Sequence, residues 1–285
     1  MRRLVVTADD FGLSPAVNEA VRRAHRDGIL TCASLMMGAP AAADAVAIAK
    51  ADGLPVGLHL TLVDGRPVLP PERVPDLVDA QGAFRPGLGR LAVRLAVSTR
   101  ARQQARAECE AQMEALLSTG LPLDHVNAHH HFHLHPSLLS IVVQLARRYR
   151  PVAVRVPWEA AVPPYRQALL GATMAPWALR ARRRLRGAGI VTNDALFGLY
   201  DTGALTEAAW LPIVPKIAPG LTEIYCHPAL RPSTSPDEAL APSSGDDLAA
   251  LLSPAVRAAL DRAGIRLTSF AEAPGESVIW QGGHP

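Results

Sequence analysis

Cysteine is scarce in this chain: its only cysteines are Cys32, Cys109 and Cys226, far apart and each in an apolar stretch. An odd, widely spaced set excludes a small secreted domain stapled by disulfides and predicts reduced thiols in a cytosolic protein. Long apolar runs are missing too, since no segment approaches the roughly 20 residues that span a membrane. The first apolar stretch reaches Asp9 too soon to serve as a secretory signal. We therefore expect a cytoplasmic protein.

An excess of either charge is also missing, because 29 Lys and Arg residues face 26 Asp and Glu residues, for a formal net charge of +3. This balance predicts no general affinity for nucleic acid. The sequence shows no repeat of fixed period and no low-complexity segment before its polar C-terminal residues. With 285 residues, 49% of them hydrophobic, the chain can bury one large core. We predict a single domain over residues 1–272 and a polar tail over residues 273–285.

Apolar, β-branched runs alternate with amphipathic helical patterns along the chain. Residues 3–8 form the first run, after which Ser14 suits a helix N-cap, Pro15 suits the first helical turn, and an apolar stripe continues to Gly28. Further strands are predicted over 29–37, 56–60, 125–128, 152–156, 190–192, 221–226 and 265–269, and helices over 41–51, over 89–118 and from residue 136. About eight strand and helix units predict an α/β fold, a distorted, TIM-barrel-like (β/α) barrel.

The densest polar feature is a run of five histidines within seven residues, which follows a short apolar stretch and ends at a proline. Imidazole is the commonest neutral metal ligand, so the run favours a metal site, with a solvated loop or a helix start as the alternative. Asp9 and Asp10 close the first apolar run, and His59 lies in another. One carboxylate and two imidazoles are a recurrent ligand set for a divalent ion that keeps positions open for water and substrate. The five histidines are His129, His130, His131, His133 and His135.

Several polar residues share one position in the predicted fold, the carboxyl end of a strand. In a barrel these ends converge on one face, where active sites take residues from several strands. Unrelated structural residues have no reason to collect there, so the pattern predicts one site. Its members, in chain order, are Asp9, Asp10, His59, His129, Arg155, Asn193, Asp194 and His227.

Each of these residues has a structural alternative. Neighbours in a strand point to opposite faces, so Asp9 and Asp10 can enter one site only where the strand bends into its loop. His59, inside an apolar strand, could be a hydrogen-bonded core histidine. Arg155 could be a structural ion-pair partner.

The five histidines of the run cannot all bind one ion. If the run turns into a helix, His129 shares a face with His133, and His131 shares one with His135. Members that do not bind the ion are expected to support a ligand or to contact the substrate. The candidate substrate-binding residues are His131, His133, Arg155 and Asp194.

Four longer strings stand out: VTADDFGLSPAVNEAV, VGLHLTL, NAHHHFHLHP and EIYCHP. Together they resemble the YdjC-like carbohydrate deacetylases, and the resemblance extends to about residue 272. It implies a distorted barrel related to polysaccharide deacetylases, with Asp10, His59 and His129 as the metal ligands. It also implies that Asp9 is the general base and that His227 is the acid.

Further strings, among them HRDGILT, SLMM and VRVPWE, resemble the hopanoid-biosynthesis-associated members of that family. The substrate implied is an N-acetylglucosamine unit, carried in that branch on an apolar polycyclic membrane lipid. A soluble chito-oligosaccharide is the alternative. One position departs from the family pattern: Asn127 stands where an aspartate is common, which leaves its role open.

The chemistry of this reaction can be argued from the residues. A divalent cation lowers the pKa of the attacking water and polarises the carbonyl oxygen of an N-acetyl group. Asp9 is placed to take the proton from water, and His227 to protonate the departing amine. The ligand set does not choose between zinc, nickel and magnesium, so we expect one divalent metal ion. The rival functions are a non-catalytic metal-binding protein, which needs neither Asp9 nor His227, and a metal-dependent phosphoesterase.

A lipid-linked substrate requires access to a membrane. The segment 176–189, PWALRARRRLRGAG, combines one tryptophan and two leucines with five arginines, a composition that suits an interfacial helix. A solvated helix face is the alternative. We therefore expect an N-acetylated, lipid-linked sugar as substrate and peripheral contact with the inner face of an anionic membrane. We expect no nucleic acid partner, and a homodimer stays open.

Overall fold

The computed structural model describes residues 1–159, 165–230 and 245–273. The predicted tail lies outside these ranges from residue 274 onward. Within them, helices surround one parallel sheet. The strands are β1 (Arg2–Phe11), β2 (Cys32–Leu35), β3 (Val56–Leu60), β4 (Leu123–Ala128), β5 (Ala153–Val154), β6 (Ala195–Phe197), β7 (Gly220–Cys226) and β8 (Ile265–Leu267). The helices are α1 (Pro15–Asp27), α2 (Ala42–Asp52), α3 (Leu88–Val97), α4 (Thr99–Ser118), α5 (Pro136–Tyr149), α6 (Tyr165–Arg186), α7 (Glu207–Ile213), α8 (Gly245–Leu251) and α9 (Pro254–Arg262).

The strands of the sheet follow the order β5-β4-β3-β2-β1-β7-β6. Two strands pair with the same edge of β1. Strand β8 pairs with residues Arg2–Leu4 of β1, and β2 pairs with β1 from Thr7 onward. A parallel bridge between Ala153 of β5 and Val191, shortly before β6, brings the two outer edges together. The predicted barrel-type α/β fold is confirmed, in the form of a parallel half-barrel.

The first strand and helix form where the sequence predicts them. The Ser14 hydroxyl accepts a hydrogen bond of 3.3 Å from the Val17 amide, and Pro15 occupies the first turn of α1. The helix ends at Gly28, where an added Cβ would lie 2.5 Å from the carbonyl oxygen of Leu251. Only glycine permits this close approach of α1 to α8. The buried stripe of α1 consists of Val17, Asn18, Ala20, Val21 and Ala24.

The predicted single helix over 89–118 is wrong, because the chain forms two helices there, α3 and α4. Ser98 has extended backbone angles (φ −104°, ψ 116°), and its hydroxyl accepts a hydrogen bond of 3.1 Å from the Ala101 amide. A serine in this conformation is an N-cap, so it ends one helix and starts the next.

The predicted strand over 190–192 is also misplaced, since β6 begins only at Ala195. The Asn193 side chain bonds both the amide and the carbonyl of Val156, at 2.7 and 2.9 Å. It thereby interrupts the backbone pairing between the two segments, which is present before it at Val154–Val191 and after it at Trp158–Leu196. Asn193 and Asp194 consequently precede β6 instead of following it, which bears on the site described below.

Alternate residues of β1 point into the barrel. Val5 packs near one end of the barrel in a small apolar cluster with Cys32, Ala153, Leu221, Phe270 and Ala273. Thr7 and Asp9 follow on the same face at strand spacing. Their neighbours Leu4, Val6 and Ala8 belong to the large core between sheet and helices. The interior therefore changes from apolar to polar toward the carboxyl ends of the strands.

All three cysteines are buried free thiols, as predicted. Burial, together with nearby acidic side chains, raises the pKa values of Cys32 and Cys226, so neither is a reactive thiolate. Among the described residues, no helix combines the length and the apolarity needed to cross a bilayer.

Candidate active site and metal centre

Three side chains from different strand ends meet around one point. Asp10 Oδ1 lies 3.1 Å from His59 Nε2 and 3.1 Å from His129 Nδ1, and the two ring nitrogens are 3.3 Å apart. Neighbouring ligand atoms around an ion with bonds of about 2.1 Å have this spacing. All three side chains are buried. The structure thus brings together the three ligands implied by the sequence resemblance.

The Asp10 carboxylate is suited to a cation. Neither of its oxygens accepts a hydrogen bond from the residues that the structure describes, although both are buried. Burial raises the pKa of Asp10, and only the positive charge of the His129 and His59 rings, when these are protonated, holds it well below its usual range. A buried, ionised carboxylate without hydrogen bonds needs a positive partner. The residues present therefore fit a divalent metal ion.

A bend in β1 turns both aspartates into the site. Asp10 has a φ of 59°, in the left-handed region that non-glycine residues rarely adopt, and the pairing of β1 with β2 shifts register between Ala8 and Phe11. Asp9 follows the strand alternation into the barrel, and Asp10 reaches the same site because the chain has already left the strand. Strained backbone of this kind is typical of functional sites.

Asp9 is held by two groups. Arg155 Nη1 and Nη2 donate to its two carboxylate oxygens at 2.5 and 3.0 Å, and Asn127 Nδ2 donates at 2.9 Å. Burial would raise the pKa of Asp9, but the Arg155 charge and the His59 ring lower it far more. Asp9 therefore stays ionised at every pH at which the protein is expected to work.

Arg155 was predicted to bind substrate, and the structure corrects this. Its side chain is fully buried, and besides Asp9 it contacts Glu223 Oε1, with its Nε at 2.8 Å and its Nη2 at 2.7 Å. Thr7 donates to the same oxygen at 2.8 Å. Glu223 is a member of the site that sequence reasoning missed. Its only signal was a charged residue inside the apolar run LTEIYC, facing an arginine 68 positions away.

Asn127 orients His59. Its Oδ1 lies 2.7 Å from His59 Nδ1, while its amide nitrogen faces Asp9. An amide oxygen can only accept, so His59 carries its proton on Nδ1 and leaves Nε2 free toward Asp10. The position whose role the sequence left open thus holds a metal ligand in place.

The histidine run does not form the predicted helical faces. Residues His129–Leu134 are a 3-10 segment in which His130 and His131 have φ values of 52° and 54°. Because of this backbone, successive rings point in different directions. Histidines four residues apart in the run therefore do not share a face as they would in an α-helix. The His130 ring lies 3.0 Å from the Asp64 carboxylate, beside His129.

His131 and His133 have different surroundings, although both were predicted to bind substrate. His131 Nε2 lies 3.1 Å from the Tyr225 hydroxyl, and the ring lines the pocket over the metal ligands. His133 is fully buried, and its Nε2 bonds the Arg155 carbonyl oxygen at 2.8 Å. Burial lowers the pKa of His133 to about 4, so the ring is neutral. His133 supports Arg155, and its predicted contact with substrate is corrected.

Asp194 is the remaining correction. It lies at the amino-terminal edge of the sheet, where its Oδ2 accepts a hydrogen bond of 2.9 Å from the Leu221 amide at the start of β7. Its other oxygen pairs with Arg186 at 2.8 Å, and half of its side-chain surface is exposed. The misplaced sixth strand explains the error, because a residue before a strand lies at the opposite end from one after it.

His227 lies at the carboxyl end of β7, as predicted. Its Nε2 is 3.8 Å from Asp10 Oδ2, and its backbone amide donates to Asp247 at 2.9 Å. A pocket of about 290 Å³ opens over Asp9, His59, His129 and His227. An acidic group that stays ionised and an imidazole therefore face one pocket from the ends of two neighbouring strands, β1 and β7. The other lining residues are Leu88, Ala128, His130, His131, Met174, Leu199, Thr202 and Tyr225.

Comparison with known proteins places this geometry in context. The model of the family described as YdjC-like protein matches residues 3–262. A carbohydrate deacetylase of Geobacillus stearothermophilus is 31% identical over 280 residues, which is 95% of this chain and 98% of that protein. A carbohydrate deacetylase of Brevibacillus brevis is 40% identical over 157 residues, which is 55% of this chain and only 60% of that protein. A solved structure from Enterococcus faecalis V583, described as a candidate for cellobiose-phosphate cleavage, superposes with a TM-score of 0.72 at 25% identity, covering 95% of this chain and 98% of that one.

Proposed function

Because this chain belongs to the YdjC-like protein family, we propose that it is a metal-dependent carbohydrate deacetylase that hydrolyses the N-acetyl group of an N-acetylglucosamine unit. The observation that carries the proposal is the triangle of Asp10, His59 and His129, next to Asp9 and His227 in one pocket. The relatives described as carbohydrate deacetylases support the same reaction.

The residues divide the work of amide hydrolysis. Asp10, His59 and His129 would hold a divalent cation, which polarises the acetyl carbonyl and makes water a better nucleophile. Asp9 accepts the proton that water loses as it attacks the carbonyl carbon. His227 gives a proton to the sugar nitrogen as its bond to the acetyl carbon breaks. The products are acetate and the free amino sugar.

The environment of Asp9 keeps it an ionised carboxylate in the resting protein, which is the form that can accept a proton. Arg155 keeps it ionised, and Asn127 fixes the direction of its carboxylate. A protein that only stores or delivers a metal has no use for a second buried carboxylate, locked in this way beside the ligands. This contrast favours an enzyme over a non-catalytic metal-binding protein.

For the substrate we propose an N-acetylglucosaminyl hopanoid, with the chain as the hopanoid-biosynthesis-associated member HpnK of the family. The surface of α6 supports a membrane-borne substrate. Ala178, Ala181 and Leu185 are buried against the core, while Trp177 is 48% exposed. Exposed arginines share the outer surface of this helix with Trp177, as in a helix that lies on an anionic membrane. They are Arg180, Arg183, Arg184 and Arg186.

The experiment that tests the function is mass spectrometry of products after incubation with two substrates. Purified protein loaded with zinc, nickel or magnesium is mixed with N-acetylglucosaminyl hopanoid in vesicles and, separately, with diacetylchitobiose. We expect loss of one acetyl group from the hopanoid, and a much slower loss with the Asp9→Asn variant. Loss from diacetylchitobiose alone would replace the lipid substrate by a soluble chito-oligosaccharide. Intact substrates with every metal would overturn the deacetylase proposal.

A further inference from the structure

We propose that a buried chain of hydrogen bonds, from Asp124 through His125 and Ser34 to Asn127, sets the tautomer of His59 and so prepares it to bind the metal. The inference rests on the proposed metal centre. It assigns positioning roles to three residues that contact neither the ligand atoms nor the pocket.

The chain is continuous across three strands. Asp124 Oδ2 lies 2.9 Å from His125 Nδ1, and His125 Nε2 lies 2.8 Å from Ser34 Oγ. The Asn127 amide nitrogen donates to Ser34 Oγ at 2.8 Å, and Asn127 Oδ1 lies 2.7 Å from His59 Nδ1. Each side chain in the chain is at most 3% exposed. Buried polar groups of this kind are costly unless every one is paired.

The donor and acceptor of each hydrogen bond in this chain can be assigned in turn, starting from Asp9. Both terminal nitrogens of Arg155 donate to the Asp9 carboxylate, so the Asp9 oxygens act as acceptors toward Asn127 as well. The group of Asn127 that faces it must therefore be the amide nitrogen, and the oxygen must face His59. The amide nitrogen has two protons, of which Asp9 takes one and Ser34 Oγ takes the other.

The same assignment continues from Asn127 through Ser34 to His125. Since Ser34 accepts from Asn127, its own proton is free for His125 Nε2, the other polar atom bonded to it. His125 must then carry its proton on Nδ1 and donate it to Asp124. Asp124 uses its second oxygen to accept the Ala271 amide at 2.8 Å. Every donor has an acceptor only in this one arrangement.

Asp124, His125 and Ser34 have the hydrogen bonds of a serine-nucleophile triad, yet they serve a different purpose. Ser34 and His125 are completely buried, so no substrate reaches the hydroxyl. The ring of His125 lies against Gly57, where an added Cβ would be only 2.4 Å from Nδ1. Gly57 lies in β3, two residues before His59. Gly57 therefore leaves room for His125 directly behind the ligand His59. The chain of hydrogen bonds from Asp124 through His125 and Ser34 to Asn127 is called the relay below.

The consequence for the metal is that His59 Nε2 keeps its lone pair. If Asn127 turned over, its nitrogen would meet His59 Nδ1 and favour the tautomer with a proton on Nε2, which cannot bind a cation. Turning Asn127 over would remove the hydrogen bonds that its amide nitrogen donates to Asp9 Oδ1 and to Ser34 Oγ, so both residues disfavour the turn. Loss of such supporting bonds typically weakens metal binding 10–100-fold.

The test combines tautomer and affinity measurements, and it needs no acetylated substrate. In wild-type protein labelled with ¹⁵N-histidine, the His125 signal, identified by its absence in His125→Asn, should show a proton on Nδ1 and none on Nε2. Zinc affinity is measured by competition with a chelating dye. Ser34→Ala and Asp124→Asn should each raise the zinc Kd about tenfold. The Ser34→Ala/Asp124→Asn double variant should bind no more weakly than Ser34→Ala alone, because the relay is already cut.

Ser253→Ala is the matched control, since it removes a buried hydroxyl that caps α9 and donates to Glu207 at 2.5 Å, outside the metal site. It should lower stability without changing the zinc Kd.

A proton on His125 Nε2 in the wild type would overturn the direction of the relay. An unchanged zinc Kd in Ser34→Ala, or fully additive effects in the double variant, would overturn the transmission. If Asp124→Asn fails to fold, the wild-type tautomer and Ser34→Ala still decide. A wild-type protein that binds zinc but removes no acetyl group would refute the proposed function and leave the relay intact.

Discussion

Arg155 donates hydrogen bonds to Asp9 from both terminal nitrogens of its guanidinium, and both side chains are buried. The same guanidinium contacts Glu223 and lies 4.9 Å over the Tyr225 ring. One buried cation thus pairs with two carboxylates from different strands and faces the aromatic residue that lines the pocket. The stability of the barrel interior and the protonation of the proposed base depend on the same residue.

The first prediction concerns this pairing. Arg155→Met in metal-free protein should lower the free energy of unfolding by about 3–5 kcal/mol at pH 7, because it leaves two buried carboxylates unpaired. Wild-type Asp9 has a lowered pKa, so its stabilising effect is present above its ordinary pKa near 3.8 and is lost only as pH falls through the lower folded value. In the variant Asp9 loses the charge of Arg155 and becomes easier to protonate. The difference between the two proteins should therefore shrink from pH 7 to pH 4 in urea titrations.

Arg155→Met/Glu223→Gln is the companion variant, since it removes one of the two unpaired charges while keeping the shape of the side chain. It should recover part of the lost stability at pH 7. No recovery, or a difference that grows toward acid pH, would show that the charges of Asp9 and Glu223 are not what Arg155 stabilises.

The second prediction concerns the metal ligands. Alanine at Asp10, His59 or His129 should abolish most metal occupancy in the folded protein, because each supplies one corner of the ligand triangle. Elemental analysis of purified protein measures this. His130→Ala is the control, since His130 adjoins His129 in sequence but pairs with Asp64. Full occupancy in all three single variants would refute the proposed metal centre.

The third prediction separates the two neighbouring aspartates. Asp9→Asn should keep the metal and lower turnover by about 10²-fold or more, the range for loss of a general acid or base. Asp10→Asn should lose metal affinity, because an amide is a poorer ligand than a carboxylate. Metal content and deacetylation rate, measured on the same preparations, distinguish the roles. Exchanged phenotypes would mean exchanged roles, and a fully active Asp9→Asn would place the base elsewhere.

The accuracy of the sequence-based expectations depends on how local their causes are. The α1 boundaries follow from Ser14, Pro15 and Gly28, which act within a few residues, and they are confirmed. His59 and His129 were placed together because parallel strands end on one face, which requires only the fold class. Strand order and residue type therefore place the candidate ligands on one face, whereas the choice of Asp10, His59 and His129 came from the family resemblance.

The errors have nonlocal causes. Whether Arg155 faces substrate or a buried acid depends on Asp9 and Glu223, which are far away in sequence. Asp194 was misplaced because β6 has only three residues and an asparagine side chain interrupts the backbone pairing before it. The geometry of the histidine run depends on left-handed backbone at non-glycine residues, which residue type does not predict.

The fourth prediction uses Glu159, whose carboxylate accepts the Leu199 amide at 2.9 Å and so holds the loop that lines the pocket. Burial raises the pKa of Glu159 from about 4.5 to about 7. Between these values the folded protein binds more protons than the unfolded chain, so stability should fall as pH rises from 4.5 to 7. Glu159→Gln should remove that part of the pH dependence in urea titrations, whereas Glu114→Gln, at an exposed site, should not. An identical pH profile for Glu159→Gln and wild type would contradict this.

The last prediction tests the proposed membrane contact of α6. Two of the five arginines in segment 176–189 have partners within the chain, because Arg182 stacks on Trp158 and Arg186 pairs with Asp194. The arginines expected to contact lipid are therefore Arg180, Arg183 and Arg184, which line a surface groove with Pro176 and Leu179. Their replacement by Gln should weaken sedimentation with anionic vesicles about 10²-fold, at about 1 kcal/mol for each basic residue near the surface.

The matched control replaces Arg22, Arg23 and Arg26 of α1 by Gln, which removes the same charge from another helix whose arginines pair with Glu19 and Asp52. This control should bind vesicles like the wild type, and raised salt should reproduce the α6 variant by screening the same attraction. Activity on a soluble N-acetylglucosamine glycoside should be equal in all three proteins, because the metal ligands are untouched. If the wild type ignores anionic vesicles, or if both triple variants lose binding equally, α6 is an ordinary solvated helix. The lipid-linked substrate would then rest on sequence resemblance alone.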